Sequence, residues 1–192
     1  MLICDSYSFA FIHVHRTGGT SITEMCEKLL PDTRLVRPQH MHIGSEAFDL
    51  DSIRGYSTFA FVRNPWERFY SWYSLFTKHN PRKEQETFSF EEFLHNYATI
   101  ARNYGIDKNF RFSQVDYFRN QSGEWLPSFI GRYETFAHDV SCMFDRLGVS
   151  VESVSWLNDT SHPSYRSEYS IEAKDFIAER CAEDIRYWGY QF

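Results

Sequence analysis

The sequence lacks the features that mark membrane-spanning and secreted proteins. No run of about 18 consecutive apolar residues occurs in the 192 residues, so no transmembrane helix is predicted. The N-terminus has no basic segment, and Asp5 interrupts the first apolar run, so no secretory signal is indicated. If these residues are the whole natural chain, we expect a cytoplasmic protein.

Cysteine is scarce and widely spaced. The four cysteines are Cys4, Cys26, Cys142 and Cys181, and no two of them form a C-x-x-C pair. Zinc knuckles and thioredoxin-like redox motifs need such pairs, so neither is predicted. We expect the four thiols to be reduced and to serve as packing residues.

Basic residues are too few for a general nucleic-acid-binding protein. Lys and Arg number 20 against 26 Asp and Glu, which gives a formal net charge of -6. Affinity for a phosphate polymer comes mostly from clustered Lys and Arg, so nucleic acid is not an expected partner. The same charge weighs against a highly sulfated polymer as a ligand.

The sequence also contains no linker-like stretch, internal repeat or low-complexity tract. Aromatic residues make up 18% of it and are well spread, so core-forming side chains are available along the whole length. A chain of this size can bury one sizeable core. We therefore expect a single domain over residues 1–192.

The first third of the chain indicates two strand-loop-helix units. Phe9–His15 alternates and is rich in β-formers, and it ends at a loop with two glycines. Ser57–Val62 resembles a buried strand, and Asn64-Pro65 resembles a helix start. Apolar residues at helical spacing follow in both units: Ile22, Met25, Leu29 and Leu30 in the first, and Trp66, Phe69, Tyr70, Tyr73 and Phe76 in the second.

The alternation continues to the C-terminus. Ser89 and Glu92 suggest a capping box at the start of a helix. A third strand is predicted at Ser128–Arg132 and a fourth at Ser153–Leu157, with a helix between them. A long closing helix is predicted from Ser170. Strands that alternate with helices indicate an α/β fold with a parallel sheet covered by helices on both faces.

The loop after the first strand has the chemistry of an anion site. Its sequence is Arg16-Thr17-Gly18-Gly19-Thr20-Ser21, and a helix follows directly. Backbone N–H groups at a helix N-terminus favour phosphate or sulfonate oxygens, the hydroxyls add donors, and Arg16 adds positive charge. A tight turn without a ligand is the structural alternative. Neither G-x-x-x-x-G-K-[ST] nor G-x-G-x-x-G is present, which disfavours ordinary P-loop kinases and dinucleotide dehydrogenases.

Two motifs carry a family resemblance. FIHVHRTGGTSI at residues 11–22 resembles the 5′-phosphosulfate-binding loop of the sulfotransferase superfamily, most closely the carbohydrate-type branch, where the loop commonly reads FIHVPKTGGTS. FAFVRNPWERFYSWY at residues 59–73 resembles the 3′-phosphate-binding motif of the same family. Weaker similarity extends through residues 129–134 and 188–192, so the resemblance covers most of the chain.

The resemblance implies a P-loop-like α/β fold that binds 3′-phosphoadenosine 5′-phosphosulfate, without a metal. The first loop and Arg16 would hold the phosphosulfate. Arg63 ends a predicted strand and Ser71 lies about two turns into the next helix, so a cation and a hydroxyl can converge on the 3′-phosphate. The alternative makes Arg63 a surface ion-pair partner and Ser71 a neutral helix residue.

Sulfonate transfer to a hydroxyl needs a base, and histidine suits that task near neutral pH. The resemblance points to His42 as the base and to His40 as the second choice, because related enzymes carry a catalytic histidine in this context. A turn-capping or solvent-facing role is the structural alternative.

The sequence departs from the family at Arg16, where Lys is usual, and at His15, where Pro is usual. Arg cannot donate a proton at ordinary pH, so the departure bears on catalysis.

The remaining expectations follow from the resemblance alone. Tyr165 and Arg166, in a polar segment that also contains Asn158, Ser161 and His162, would cover the donor, although a solvated loop has the same composition. Residues 78–86 are expected to form an exposed loop.

The acceptor would be a small molecule or a carbohydrate, and no oligomeric state is predicted. The alternative functions are a binding protein of the same fold that has lost catalysis and a phosphotransferase that uses another nucleotide.

Overall fold

The computed structural model describes residues 1–46, 49–79, 87–103, 110–154 and 165–192. The described residues form two compact units. The first unit comprises those within Met1–Arg63 and Gln114–Asp159, and the second comprises those within Asn64–Ser113 and Thr160–Phe192. The expected single domain stays a prediction.

The first unit is built on a five-stranded sheet in the order β3-β1-β2-β4-β5. β2 pairs with β4 and β4 pairs with β5 in parallel, whereas β1 is antiparallel to both β2 and β3. The α/β class is confirmed, but the sheet is mixed and not wholly parallel. The strands are β1 (Leu2–Cys4), β2 (Phe9–Ile12), β3 (Arg34–Leu35), β4 (Ser57–Val62) and β5 (Phe129–Arg132).

The central strands lie where their sequences predict them. All four residues of β2 and five of the six residues of β4 are buried, as expected for strands covered on both faces. The predicted first strand, Phe9–His15, is too long, because β2 ends at Ile12. There the N–H of Val14 donates to the carbonyl of Ile12 (3.2 Å), which turns the chain away from the sheet before His15.

Two helices of the first unit pack against the sheet through a shared apolar core. They are α1 (Gly19–Leu29) and α5 (Phe136–Arg146). The core joins strand residues to the buried faces of these two helices, including Phe9, Phe11, Phe59, Phe61, Ile22, Met25, Phe136, Val140 and Phe144. Burial of a large apolar side chain contributes about 1.5–3 kcal/mol, so this cluster fixes α1 and the loop that precedes it on the sheet.

The predicted fourth strand is wrong over the part that the structure describes. Ser153 and Val154 are not in a strand, and residues 155–157 lie outside the described residues. Val154 instead packs against the core cluster, as do Val149 and Val151. An apolar, β-branched run is compatible with either role, so the sequence pattern could not separate them.

The second unit is helical. Its helices are α2 (Pro65–His79), α3 (Phe90–His95), α4 (Tyr97–Asn103), α6 (Ile171–Arg180) and α7 (Ala182–Trp188). The capping box is confirmed at the start of α3, where Ser89 and Glu92 bond reciprocally through side chain and backbone. The predicted closing helix is two helices, because Cys181 adopts φ −112° and ψ 22° and interrupts it.

Buried polar side chains tie the second unit together. Arg68 is wholly buried, and its guanidinium donates to the carbonyl oxygens of Arg111 (2.7 Å) and Phe112 (2.8 Å). Asp184 is also wholly buried and accepts a hydrogen bond from the Ser113 hydroxyl (2.8 Å). Apolar periodicity alone did not reveal these three hydrogen bonds, which hold residues 111–113.

Two expectations about composition can be compared with the structure. All four cysteines are free; Cys4, Cys26 and Cys181 are buried as expected for packing residues, whereas Cys142 is only partly buried. Burial raises the pKa of the Cys26 thiol, so it stays protonated at neutral pH. No helix within the described residues is long and apolar enough to cross a membrane.

Candidate active site

The first loop ends at an open helix N-terminus. Gly18 is the N-cap of α1, with φ 85° and ψ 6°, and no side chain caps the helix. The first turn contains no acidic residue. The first N–H groups of a helix have no partner within it, and they lie at the positive end of the helix dipole. The arrangement therefore favours an anion at Gly19, Thr20 and Ser21.

Both glycines of the loop are required by their surroundings. Gly18 adopts a positive φ, and a Cβ there would overlap the ring of Phe136. A Cβ on Gly19 would overlap the imidazole of His13. The second glycine thus lets a histidine of the strand end lie directly against the loop, which the sequence did not reveal.

Arg16 lies in a strained position. Its φ is 65°, in the left-handed region that side-chain-bearing residues seldom adopt. The turn is closed beside it, where the Thr17 hydroxyl donates to the carbonyl of Val14 (3.0 Å). The pKa of Arg16 is lowered to about 10, mainly by burial of its guanidinium and secondly by the positive charge of Arg63. Arg16 is therefore cationic at neutral pH, although lost solvation and like-charge repulsion destabilise its charged form.

Arg63 is held rigidly beside Arg16. It is 2% exposed, its Nη1 donates to the carbonyl of Arg16 (3.3 Å), and its guanidinium lies 3.8 Å from the ring centroid of Tyr133. Its backbone is fixed by Gln114, which accepts from the Arg63 N–H (2.9 Å) and donates to the Arg63 carbonyl (2.8 Å). Two cations thus lie together at the ends of β2 and β4.

Three histidines form a cluster next to the first loop. The His40 ring stacks on His15, with centroids 3.6 Å apart and planes 23° apart, and meets His13 edge-on at 4.4 Å. His13 and His15 are buried, whereas His40 is half-buried. The cluster contacts the loop on two sides, because His15 precedes Arg16 and His13 lies against Gly19.

The hydrogen bonds of the cluster assign its tautomers. The side-chain amide of Gln39 donates to His13 Nδ1 (2.7 Å), so the proton of neutral His13 is on Nε2. His40 Nδ1 lies 3.2 Å from the carbonyl oxygen of His13, which can only accept. His40 Nδ1 therefore carries a proton, and in the neutral ring Nε2 holds the basic lone pair. A general base accepts its proton at such a nitrogen, so His40 would act through Nε2.

His42, the first choice from sequence, lies farther along the same segment. It is half-buried, its carbonyl accepts from the N–H of Ser45 (3.0 Å), and its ring lies near Gly44. The neighbouring residue Ile43 donates to the carbonyl of Tyr117 (3.2 Å). His40, the second choice, contacts the rings of His13 and His15 beside the first loop.

The other predicted site residues belong to the second unit. Ser71 lies on α2 and is wholly buried. Tyr165 and Arg166 begin a short 3-10 helix (Tyr165–Glu168), where the Arg166 guanidinium lies 4.9 Å from the Tyr165 ring centroid. Tyr165 also contacts Tyr169 and Phe192 in an aromatic group. Asn158, Ser161, His162 and most of the 78–86 loop lie outside the described residues, and Lys78 and His79 end α2.

Comparison with known proteins agrees with the two motifs. A family model described as the sulfotransferase family matches residues 1–190. The chain belongs to the sulfotransferase family. Among solved structures it is similar to a sulfotransferase from Alicyclobacillus acidocaldarius, at 22% identity and a TM-score of 0.40. That alignment covers 74% of this chain and 58% of the other chain. No functionally curated protein matches.

Three residues of this sulfotransferase-family site were missed by sequence reasoning. Gln114 and Tyr117 flank and end a 3-10 helix (Val115–Tyr117), and both are wholly buried. No periodicity or motif marks them, because they reach the site only through the tertiary fold. Tyr133 lies within residues 129–134, where a weaker similarity was noted, and that similarity was the one available signal.

The histidine cluster is not arranged as a metal centre. Among the residues that the structure describes, no group of three or more His, Cys, Asp or Glu side chains could hold a metal ion. The rings of His15 and His40 stack face to face, so their nitrogens do not converge on one point. The cluster is organised for packing and hydrogen bonding.

Proposed function

We propose that this chain transfers the sulfonate group of 3′-phosphoadenosine 5′-phosphosulfate to a hydroxyl group of an acceptor. The observation that carries the proposal is the uncapped N-terminus of α1, with Gly18 in the left-handed conformation and Arg16 and Arg63 beside it. Membership of the sulfotransferase family supports the same chemistry.

The residues present fit the phosphosulfate end of the donor. A bound anion would lie between the helix amides and Arg16, and its negative charge would offset the burial and, secondly, the repulsion from Arg63 that lower the pKa of Arg16. Thr20 is exposed and can offer its hydroxyl. The Thr17 hydroxyl already donates to Val14, so Thr17 would contribute its backbone N–H.

Arg63 and Ser71 are the proposed ligands of the 3′-phosphate, on the resemblance of their motif. Both are buried, and Arg63 has its backbone and guanidinium plane fixed by Gln114 and Tyr133. A fixed guanidinium loses little entropy when it binds an anion. Tyr165 and Arg166 are proposed to cover the donor on the resemblance alone.

In the proposed reaction the donor supplies the sulfonate group and a phosphate leaving group. Arg16 would stabilise the negative charge that develops on the leaving oxygen, and the amides of α1 would orient the group for in-line attack. The basic Nε2 of His40 would take the proton of the acceptor hydroxyl. His42 stays the alternative base. No metal takes part in the proposal.

A transfer assay with the sulfur-35 donor and a mixed carbohydrate and metabolite extract tests the proposal. We expect a labelled product whose mass exceeds that of an acceptor by one sulfonate group. Arg16→Ala should abolish transfer and keep part of the nucleotide affinity. Near-normal turnover of Arg16→Ala would remove Arg16 from the mechanism, and no product from any acceptor would favour a binding-only protein.

The identity of the base is tested by two matched variants. We expect His40→Gln to lower kcat by about 100-fold or more, the range for loss of a general base, while His42→Gln keeps most activity. Gln is similar in size and keeps a polar side chain at each position. A large loss in His42→Gln alone would return the role to His42.

The acceptor is proposed to be a carbohydrate or another small hydroxyl compound. This rests on the branch that the first loop resembles and on the net charge of -6, which disfavours polyanions. Comparison of neutral and sulfated oligosaccharides in the transfer assay tests it. Preference for the sulfated set would contradict the charge argument.

A further inference from the structure

His15 and Tyr117 form a buried pair beside the proposed base. The Tyr117 hydroxyl and His15 Nδ1 lie 2.6 Å apart in a hydrogen bond, and both side chains are 0% exposed. The two residues are distant in sequence, so the bond ties the end of β2 to the 3-10 helix before β5. One imidazole nitrogen is thereby fixed, and with it the plane of the ring.

The His15 ring also contacts His40. The two rings stack with 3.6 Å between centroids, so the plane of His15 sets the plane that His40 can adopt. The His13 carbonyl then holds His40 Nδ1 at 3.2 Å. The stacked ring restricts the orientation of His40, and the carbonyl acceptor favours the neutral tautomer with the proton on Nδ1.

We propose that His15 and Tyr117 are positioning residues, which hold His40 in the orientation and tautomer that its role as a base requires. The inference rests on the proposed function for its catalytic meaning, but the geometry that it describes is independent of turnover. His15 stands where the resembled loop usually has Pro, so the pair is a feature of this chain. His13 and His15 contact the His40 ring, the Tyr117 hydroxyl bonds to His15, and Arg16 follows His15 in the chain.

Nitrogen-15 NMR of the imidazole rings tests the inference without turnover. The chain has eight histidines, and the signals lost in His40→Gln identify those of His40. We expect His40 to be protonated on Nδ1 in the wild type. Tyr117→Phe removes one hydroxyl and should give a mixture of His40 tautomers, and His15→Ala should do so more strongly.

A matched control separates this effect from the general loss of one hydrogen-bonded tyrosine hydroxyl. The Tyr73 hydroxyl donates to the carbonyl of Phe88 (2.7 Å) in the second unit, so Tyr73→Phe loses a bond of similar length. Tyr73→Phe should leave the His40 signals unchanged. Unchanged His40 signals in both Tyr117→Phe and His15→Ala would overturn the inference.

Kinetics provide the second readout. We expect Tyr117→Phe to lower kcat about tenfold and to leave the KM for the donor within about twofold, because the base is misplaced and the donor loop is intact. The acid limb of the pH profile should also move. His15→Phe keeps a flat ring and should retain more activity than His15→Ala. A purely structural role would lower Tm and leave kcat and the pH profile unchanged.

Failure of the two proposals can be told apart. Absence of transfer by the wild type would refute the proposed function, and the NMR measurement alone would then decide the positioning role. Transfer that is normal in Tyr117→Phe and His15→Ala, with His40 signals unchanged, would keep the function and reject the positioning pair.

Discussion

At the scale of single residues, the site is concentrated at Arg16. The residue combines a left-handed backbone, partial burial of its charge and the nearby charge of Arg63. Each of these features lowers stability, and each is compatible with a residue that is retained to bind an anion. Strained residues of this kind are common at functional sites.

Two substitutions of Arg16 separate its backbone from its charge. Both Arg16→Gly and Arg16→Ala remove the guanidinium, so both should lose transfer activity. Only glycine adopts φ 65° without strain, so the free energy of unfolding of Arg16→Gly should exceed that of Arg16→Ala by about 1 kcal/mol. Urea unfolding measures the difference. Equal stabilities would show that the backbone at residue 16 relaxes without cost.

Tyr133 is expected to act through Arg63. The guanidinium lies 3.8 Å from the ring centroid, a cation–π contact. Such a contact contributes about 0.5–2 kcal/mol, so Tyr133→Leu should weaken binding of 3′-phosphoadenosine 5′-phosphate by about 2- to 30-fold. Tyr133→Phe keeps the ring and serves as the control. Isothermal titration calorimetry measures both, and equal affinities for the Leu and Phe variants would exclude a role for the ring.

The sequence indicated which residues to expect at the candidate site, but not which residues contact them. The loop glycines, Arg16 and Arg63 were identifiable because local motifs carry them. Gln114 and Tyr117 were not, because their contacts join segments that are distant in sequence. The sequence favoured His42 over His40 on the resemblance alone, since two histidines of one short segment differ only in what the fold places beside them.

At the scale of elements, the N-terminus of α1 is the central feature. It has no side-chain cap and no acidic residue in its first turn, which leaves its positive end open to an anion. The proposed binding of an anion requires this helix end to stay open, whereas helix stability would favour a capping or acidic side chain there.

Thr20 provides a test of that opposition. The side chain is exposed in the first turn, so Thr20→Glu should raise the free energy of unfolding by about 0.3–1 kcal/mol through the helix dipole. The same carboxylate should compete with the donor and weaken its binding at least tenfold relative to Thr20→Gln. Equal donor affinity of the Glu and Gln variants would contradict an anion site at this helix end.

The capping box of α3 offers a stability prediction away from the first loop. Ser89 Oγ accepts from the N–H of Glu92 (3.2 Å), and the Glu92 carboxylate accepts from the N–H of Ser89 (2.8 Å). Ser89→Ala should lower the free energy of unfolding by about 1 kcal/mol, with donor affinity unchanged. Thermal unfolding and calorimetry measure the two quantities. Unchanged stability would mean that the cap contributes nothing to α3.

Long, strongly patterned elements were predictable, whereas short ones were not. β4 and α5 lie where apolar spacing places them. The strands β1 and β3 contain three and two residues, which is too few for a periodic signal. The sequence also showed no sign that the closing helix is interrupted at Cys181. The buried face of α7 includes Asp184, and an apolar pattern assigns a carboxylate to the surface.

At the scale of the whole molecule, the chain combines a sheet-based unit that contains the first loop with a helical unit that contains Ser71. The boundary between Arg63 and Asn64 falls inside the second motif. Sequence motifs identified the family and are the basis for the proposed donor, since binding of a charged group needs particular residues at fixed spacing. They did not identify the acceptor, because acceptor specificity depends on tertiary surfaces that no motif encodes.

The most direct test is the affinity of the chain for 3′-phosphoadenosine 5′-phosphate and for adenosine 5′-phosphate, measured by isothermal titration calorimetry at one salt concentration. The two ligands differ only by the 3′-phosphate. Charge-assisted hydrogen bonds contribute about 1.5–3 kcal/mol, so we expect the first ligand to bind at least about tenfold more tightly. Equal affinities, or a preference for adenosine 5′-phosphate, would contradict a donor held through its 3′-phosphate.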